Sequence, residues 1–217
     1  INGGQDKFAW HLDAFTRKSD DYDIPEFTLE DGDIVDTLEN SDIDSQGFTL
    51  GAGWIGDDVT LSLAYGRLET DYGIPGHAHG DHEEEEEEHH DDEEHTEEEH
   101  DEEEPVFARM QQDRFQSIVD WKNLSGRFTE AHWHNAYTDY QHSEIEEGEI
   151  GTTFENDSLE SRLWAKHAPI NGWAGVVGLH YTNADFSAVG EEAFTPSTET
   201  TSSALFVLEE KTIGDFL

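Results

Sequence analysis

"DVTLSLAYGRLE" (Asp58–Glu69) alternates residue by residue. Val59, Leu61, Leu63 and Tyr65 share one phase; Thr60, Ser62, Ala64 and Gly66 share the other. A period of two marks a β-strand with one apolar and one polar face. The pattern recurs in both directions. "KFAWHLDAFTRKS" (Lys7–Ser19) sets Phe8, Trp10, Leu12 and Ala14 against Lys7, His11, Asp13 and Arg17. "SQGFTLGAGWIG" (Ser45–Gly56) aligns Phe48, Leu50, Ala52 and Trp54. "RFQSIVDWKN" (Arg114–Asn123) aligns Phe115, Val119 and Trp121. "FTEAHWHNAY" (Phe128–Tyr137) sets Ala131, Trp133 and Tyr137 against Glu130, His132 and His134. In "SLESRLWAKH" (Ser158–His167) the phase blurs, because Trp164 falls with Ser158 and Arg162 rather than with Leu159 and Leu163. "WAGVVGLHYTNADFS" (Trp173–Ser187) and "SSALFVLEEK" (Ser202–Lys211) complete a set of about eight strands, each about ten residues long, with no helix.

The connections carry the next signal. "GDD" (Gly56–Asp58), "NLSG" (Asn123–Gly126) and "PING" (Pro169–Gly172) are tight. Asp20–Asp42, Asp71–Pro105, Gln141–Gly151 and Ala188–Thr200 are long and polar. Short turns alternating with long loops follow the pattern of an outer-membrane barrel, with turns on the periplasmic side and loops outside. Phe8, Trp10, Trp54, Tyr65, Tyr72, Trp121, Tyr137, Tyr140 and Trp173 lie near strand ends, as an aromatic girdle would. The expected fold is all-β: an antiparallel transmembrane β-barrel fragment of about eight meander strands. A soluble sandwich also alternates, but no second alternating apolar layer is present to face the first.

Charge narrows the partners. Of 217 residues, 53 are acidic and 11 are Lys or Arg, a net charge of −42. Eighteen of those carboxylates fall in Asp81–Glu104, which has no Lys or Arg, so the rest still carries −42 + 18 = −24. Such a surface repels nucleic-acid phosphates and attracts divalent cations or a basic partner. With no cysteine there is neither a disulfide nor a thiolate zinc site. No apolar run approaches the ~20 residues of a membrane helix. The chain opens "INGGQDKFAW" and ends "EEKTIGDFL", so a piece of a longer protein is expected. No nucleophile elbow, HExxH or phosphate-cradling glycine loop occurs, and no enzyme is expected.

Three stretches carry a family likeness: "DDYDIPEF" (Asp20–Phe27), "YGIPGHAHGDH" (Tyr72–His82) and "HYTNADFSAVGEEAFTPSTETTSSALFVLEE" (His180–Glu210). They resemble the barrel of TonB-dependent outer-membrane receptors, and a strand leading into "YGIPGH" and a His- and acid-rich loop resembles the zinc-uptake members. The resemblance implies a barrel of about 22 strands closed by an N-terminal plug. Residues 1–217 would supply a partial barrel, with 71–105 as its His/Asp/Glu-rich extracellular loop. Implied partners are outer-membrane lipid, the plug and remaining strands, and through them the TonB complex. Two unpaired strand edges in lipid are untenable for a piece taken alone.

The loop has its own chemistry. "HAHGDH" places His77, His79, Asp81 and His82 within six residues, beside Gly76 and Gly80, which ease folding around one point. Imidazole nitrogen and carboxylate oxygen are ligands for Zn²⁺ or another borderline divalent metal. His89, His90, His95 and His100 are looser and suit several weak sites. Against a solvated acidic run stands the count: seven of thirteen histidines fall between His77 and His100. On the expected lumen face, His132 and His134 form a two-apart pair beside Glu130, either ligands or a polar wall. His11 with Asp13 has the same spacing. The expected function is capture and import of a metal ion, most simply zinc. The alternatives are a ferric siderophore or haem as cargo, or a soluble metal-binding β domain.

Overall fold

The computed structural model describes residues 1–28, 32, 34–75, 105–146, 148–190 and 193–214. They form β1 (Asn2–Gln5), β2 (Phe8–Ser19), β3 (Tyr22–Thr28), β4 (Ile34–Leu38), β5 (Ile43–Ile55), β6 (Val59–Gly73), β7 (Phe107–Trp121), β8 (Phe128–Glu146), β9 (Glu149–Ile170), β10 (Trp173–Gly190) and β11 (Thr198–Lys211). One antiparallel sheet runs β1-β2-β5-β6-β7-β8-β9-β10-β11, and β3-β4 is a separate hairpin. The eight long strands follow chain order, as a meander does. Among the described residues the sheet is open, with β1 and β11 at its edges.

Tight links lie at one end. Gly56–Asp58 joins β5 to β6, and Asn171–Gly172 joins β9 to β10. Both Asn171 (φ 54°) and Gly172 (φ 83°) are left-handed, as a two-residue Asn-Gly hairpin turn requires. The opposite end differs from expectation at three links. The Gln141–Gly151 stretch is mostly strand: β8 runs to Glu146 and β9 begins at Glu149. The Asp20–Asp42 stretch contains the β3–β4 hairpin. Strand β10 runs to Gly190 and β11 begins at Thr198, shortening the Ala188–Thr200 link. The long strands accordingly span 12–22 residues rather than about ten.

The reason lies in which face is apolar. In the half nearest the tight turns, register aligns Leu12, Leu50, Tyr65, Phe115, Tyr137 and Leu159 in one cross-strand row. Phe8, Trp54, Leu61, Val119, Trp133, Leu163, Leu179 and Leu205 form another row on the same face. Beyond Tyr65 that face turns polar. Its next row reads Ala14, Phe48, Arg67, Asp113, Asp139, Asp157, Asp185 and Glu199. The other face changes the opposite way, from Thr60, Ser62 and Ala64 to Leu68 and Tyr72 on β6, and from His132 and His134 to Tyr140 and His142 on β8. The β5–β6 and β6–β7 ladders cross this point without a bulge. The strands keep their period of two while the apolar parity swaps, so composition alone made the far halves look like loops.

The apolar face is uncovered. Leu63 is 66 % exposed and Leu205 81 % exposed, and the buried apolar residues among those described are Val106 and Ala108 alone. On β6 the band runs Val59–Tyr65, about 20 Å along the strand. Aromatics mark both borders. Phe8, Trp54, Trp121 and Trp133 lie toward the tight turns; Tyr65, Phe115 and Tyr137 lie at the other limit. Tyr65 stacks on Phe115 (4.6 Å between centroids) and donates its hydroxyl hydrogen to Asp113 in the first charged row. Tyr72 and Tyr140 belong to the opposite face and are outside this girdle. Within the band, Ser117, Asn135 and Ser161 bond one another across three strands (3.1 and 2.7 Å), and Trp133 Nε1 donates to Ser161 (3.0 Å). These polar side chains of an apolar face thereby find partners in one another.

Candidate functional site

His77, His79, Asp81, His82, His89, His90, His95 and His100 lie outside the described residues. The root of their segment is described. Ile74 N–H donates to Val106 C=O (3.0 Å), which draws the two ends of the excursion together. Asn40, in the left-handed region at φ 57°, donates its side-chain amide to Ile74 C=O (3.1 Å) and Val106 C=O (2.8 Å). A Cβ at Gly73 would overlap Asn40, so only glycine fits against this clamp. Ser41, beside it, donates its hydroxyl hydrogen to Leu38 C=O (2.6 Å) and accepts from Tyr22 N–H (3.1 Å). The β3–β4 hairpin and the root of the acidic run are thus tied at one point.

His132 and His134 occupy the polar face of β8, the side expected for them. His132 Nδ1 lies 2.6 Å from Asp120 Oδ1 on β7, and its Nε2 lies 3.7 Å from Glu130. His134 Nε2 is 3.7 Å from the same Asp120 oxygen. Both imidazoles pack on Trp164 of β9: His132 stacks at 4.9 Å and 13°, and His134 meets it edge-on at 4.5 Å. One carboxylate and one indole therefore organise the pair. No group of three or more His, Asp or Glu among the described residues is arranged to hold a metal ion. His11 is likewise engaged, with Asn2 (2.6 Å) and Asp13 (3.2 Å). His180 pairs with Glu160 (3.0 Å) and His167 with Glu209 (2.9 Å).

Asp120 and Trp164 had no place in the sequence-based site. The off-phase position of Trp164 was the available signal, since an indole on a polar face needs a local partner. Asp120 gave none, because its meeting with His132 depends on β7–β8 register.

Carboxylates dominate the opposite face in the half away from the tight turns. Asp113, Asp139, Asp157, Asp185 and Glu199 share one cross-strand row. Like charges directly opposite are destabilising and favour bound counter-ions. Arg67 answers part of this field: Nε donates to Glu69 (2.7 Å), and a terminal nitrogen lies 3.5 Å from Asp113. Hydrogen bonds from Arg67 and then Gln46 hold the Glu69 carboxyl below its usual range.

No protein-family model matches the chain.

Proposed function

We propose that the chain forms part of the wall of a TonB-dependent outer-membrane importer whose cargo is a divalent metal ion, zinc by preference. The observation that carries the membrane reading is the exchange of apolar faces along continuous strands. In the half near the tight turns, the apolar face meets lipid and the Ser/Thr/Gly/His face meets a wet lumen, as barrel strands alternate. In the other half, the outward face meets water and turns acidic. Aromatic residues border the lipid-facing band on both sides. A soluble sandwich is disfavoured, because its two sheets would cover each other's inner faces.

The metal reading rests on the residues of the acidic run, His77, His79, Asp81 and His82 first, and His89, His90, His95 and His100 as weaker collectors. The outward acidic row raises the local cation concentration. The cation then meets the lumen wall at His132 and His134, where Asp120 already holds His132. Plug, remaining strands and TonB complex would come from outside this chain.

The test is a zinc titration of the full chain in neutral detergent, with Ca²⁺ and Mg²⁺ in excess. Zinc binding should survive the competitors and fall in the triple variant His77→Ala, His79→Ala, His82→Ala. His132→Ala with His134→Ala should weaken it less. Loss of the signal to Ca²⁺, or equal binding by the triple variant, would sink the zinc assignment and return a ferric siderophore or haem as the cargo to test.

A further inference from the structure

We propose that Arg162 is the seat of an oxyanion, carboxylate or phosphate, on the polar face of the sheet. Arg162 lies in register between His134 of β8 and His180 of β10. Its guanidinium carbon stands 4.8 Å from the Phe206 ring centroid and 5.5 Å from that of Trp164. The site is built to allow this. Trp164, Gly178 and Phe206 are aligned in the next row across β9, β10 and β11. A Cβ at Gly178 would overlap the Phe206 ring, so glycine lets that ring reach across β10 toward Arg162.

Aromatic rings engage the faces of a guanidinium and leave its edges, where all five N–H donors lie, for a planar bidentate acceptor. In a chain with 53 acidic residues, a carboxylate would be the expected acceptor. Carboxylates of the neighbouring positions are used elsewhere: Asp120 by His132 (2.6 Å) and Glu160 by His180 (3.0 Å). Among the described residues no ion pair is formed by Arg162. Its guanidinium lies against two rings and is exposed, without an acid partner there, in register between two histidines. A protein of net charge −42 repels anions in general, so anion binding here requires this local arrangement. The inference needs no metal and is independent of the zinc reading.

The experiment follows the Arg Nε–Hε resonances of ¹⁵N-arginine-labelled full chain in neutral detergent. Citrate and, separately, inorganic phosphate are titrated to millimolar concentration against chloride at matched ionic strength. The Arg162 resonance should shift saturably with at least one of them, while that of Arg67, held by Glu69, stays in place. The responding anion separates a carboxylate from a phosphate source. Arg162→Gln, read through Trp fluorescence, should weaken the binding about tenfold or more, as loss of a charge-assisted hydrogen bond implies. Arg162→Lys keeps the charge and should recover only part of the affinity, because the fork is gone. No saturable shift with either anion, or undiminished binding by Arg162→Gln, overturns the proposal.

Discussion

The two halves of β6 place their apolar residues on opposite faces, and so do those of β9, where Ile150 and Phe154 fall in one parity and Leu159 and Leu163 in the other. Near the tight turns, Leu61, Leu63 and Tyr65 project to the face that Arg67, Glu69 and Asp71 occupy farther along the same strand. Backbone geometry is common to both halves, and the ladder runs through unbroken. The difference is therefore in surroundings. One half is suited to an apolar medium outside and a polar space inside. The other is suited to water outside and packing inside, and its Val106 and Ala108 are the buried apolar residues among those described. Strands that emerge from a bilayer would need this exchange at the border.

The strongest way to break the comparison is to put one charge into both halves of one face. Leu63→Arg should cost about 2–4 kcal/mol of folding free energy in lipid, the penalty for a cation facing the middle of a bilayer. Asp139→Arg, outward in the acidic row between Asp113 and Asp157, should be neutral or stabilising, because it relieves like-charge neighbours. Denaturant unfolding from phospholipid vesicles measures both, with the remaining barrel strands supplied so that neither sheet edge faces lipid. Equal losses would remove the distinction between the halves.

A smaller effect sharpens the outer half. Asn40→Ala leaves Ile74 C=O and Val106 C=O without the amide and should cost about 1–3 kcal/mol. Amide exchange should accelerate at Ile74, whose N–H donates to the clamped Val106 C=O, and stay unchanged at Leu61 and Leu63. Faster exchange throughout the sheet would mean that the clamp supports the whole fold rather than the root of the acidic run.

The smallest effect is electrostatic. The Glu69 carboxyl is depressed in the folded chain, so its contribution to stability is full above its unfolded pKa, about 4.3, and is lost as pH falls through the folded value. Glu69 is part-exposed, so solvent screens most of the gain. A carbon-13 titration of the Glu69 carboxyl should show its midpoint rise in Arg67→Gln. An unmoved midpoint would assign the shift to Gln46 instead.

Much of the wall was legible from residues alone. Each of the apolar phases in Phe8–Ala14, Phe48–Trp54, Val59–Tyr65, Ala131–Tyr137 and Val177–Tyr181 falls on one face of the sheet, and eight long strands run in meander order. The outer ends of β8 and β9 were misread as a loop, because their Gln, His and Glu content masked an alternation that had changed parity. Of the proposed lumen site, His132 and His134 were visible as a pair, whereas Asp120, Trp164, Arg162 and Phe206 were not visible as their neighbours.

By itself the sequence determined the turn-side halves of the long strands, their apolar faces there, the tight Gly56–Asp58 and Asn171–Gly172 turns and the acid- and histidine-rich run, because alternation and turn chemistry are local to a few consecutive residues. Tertiary structure alone decided which strands' side chains meet: Asp120 between two imidazoles, Phe206 across Gly178 toward Arg162, Asn40 on the root of the acidic run. Those meetings depend on cross-strand register, which is fixed jointly by turns, bulges and pairing along whole ladders and is carried by no single stretch of sequence.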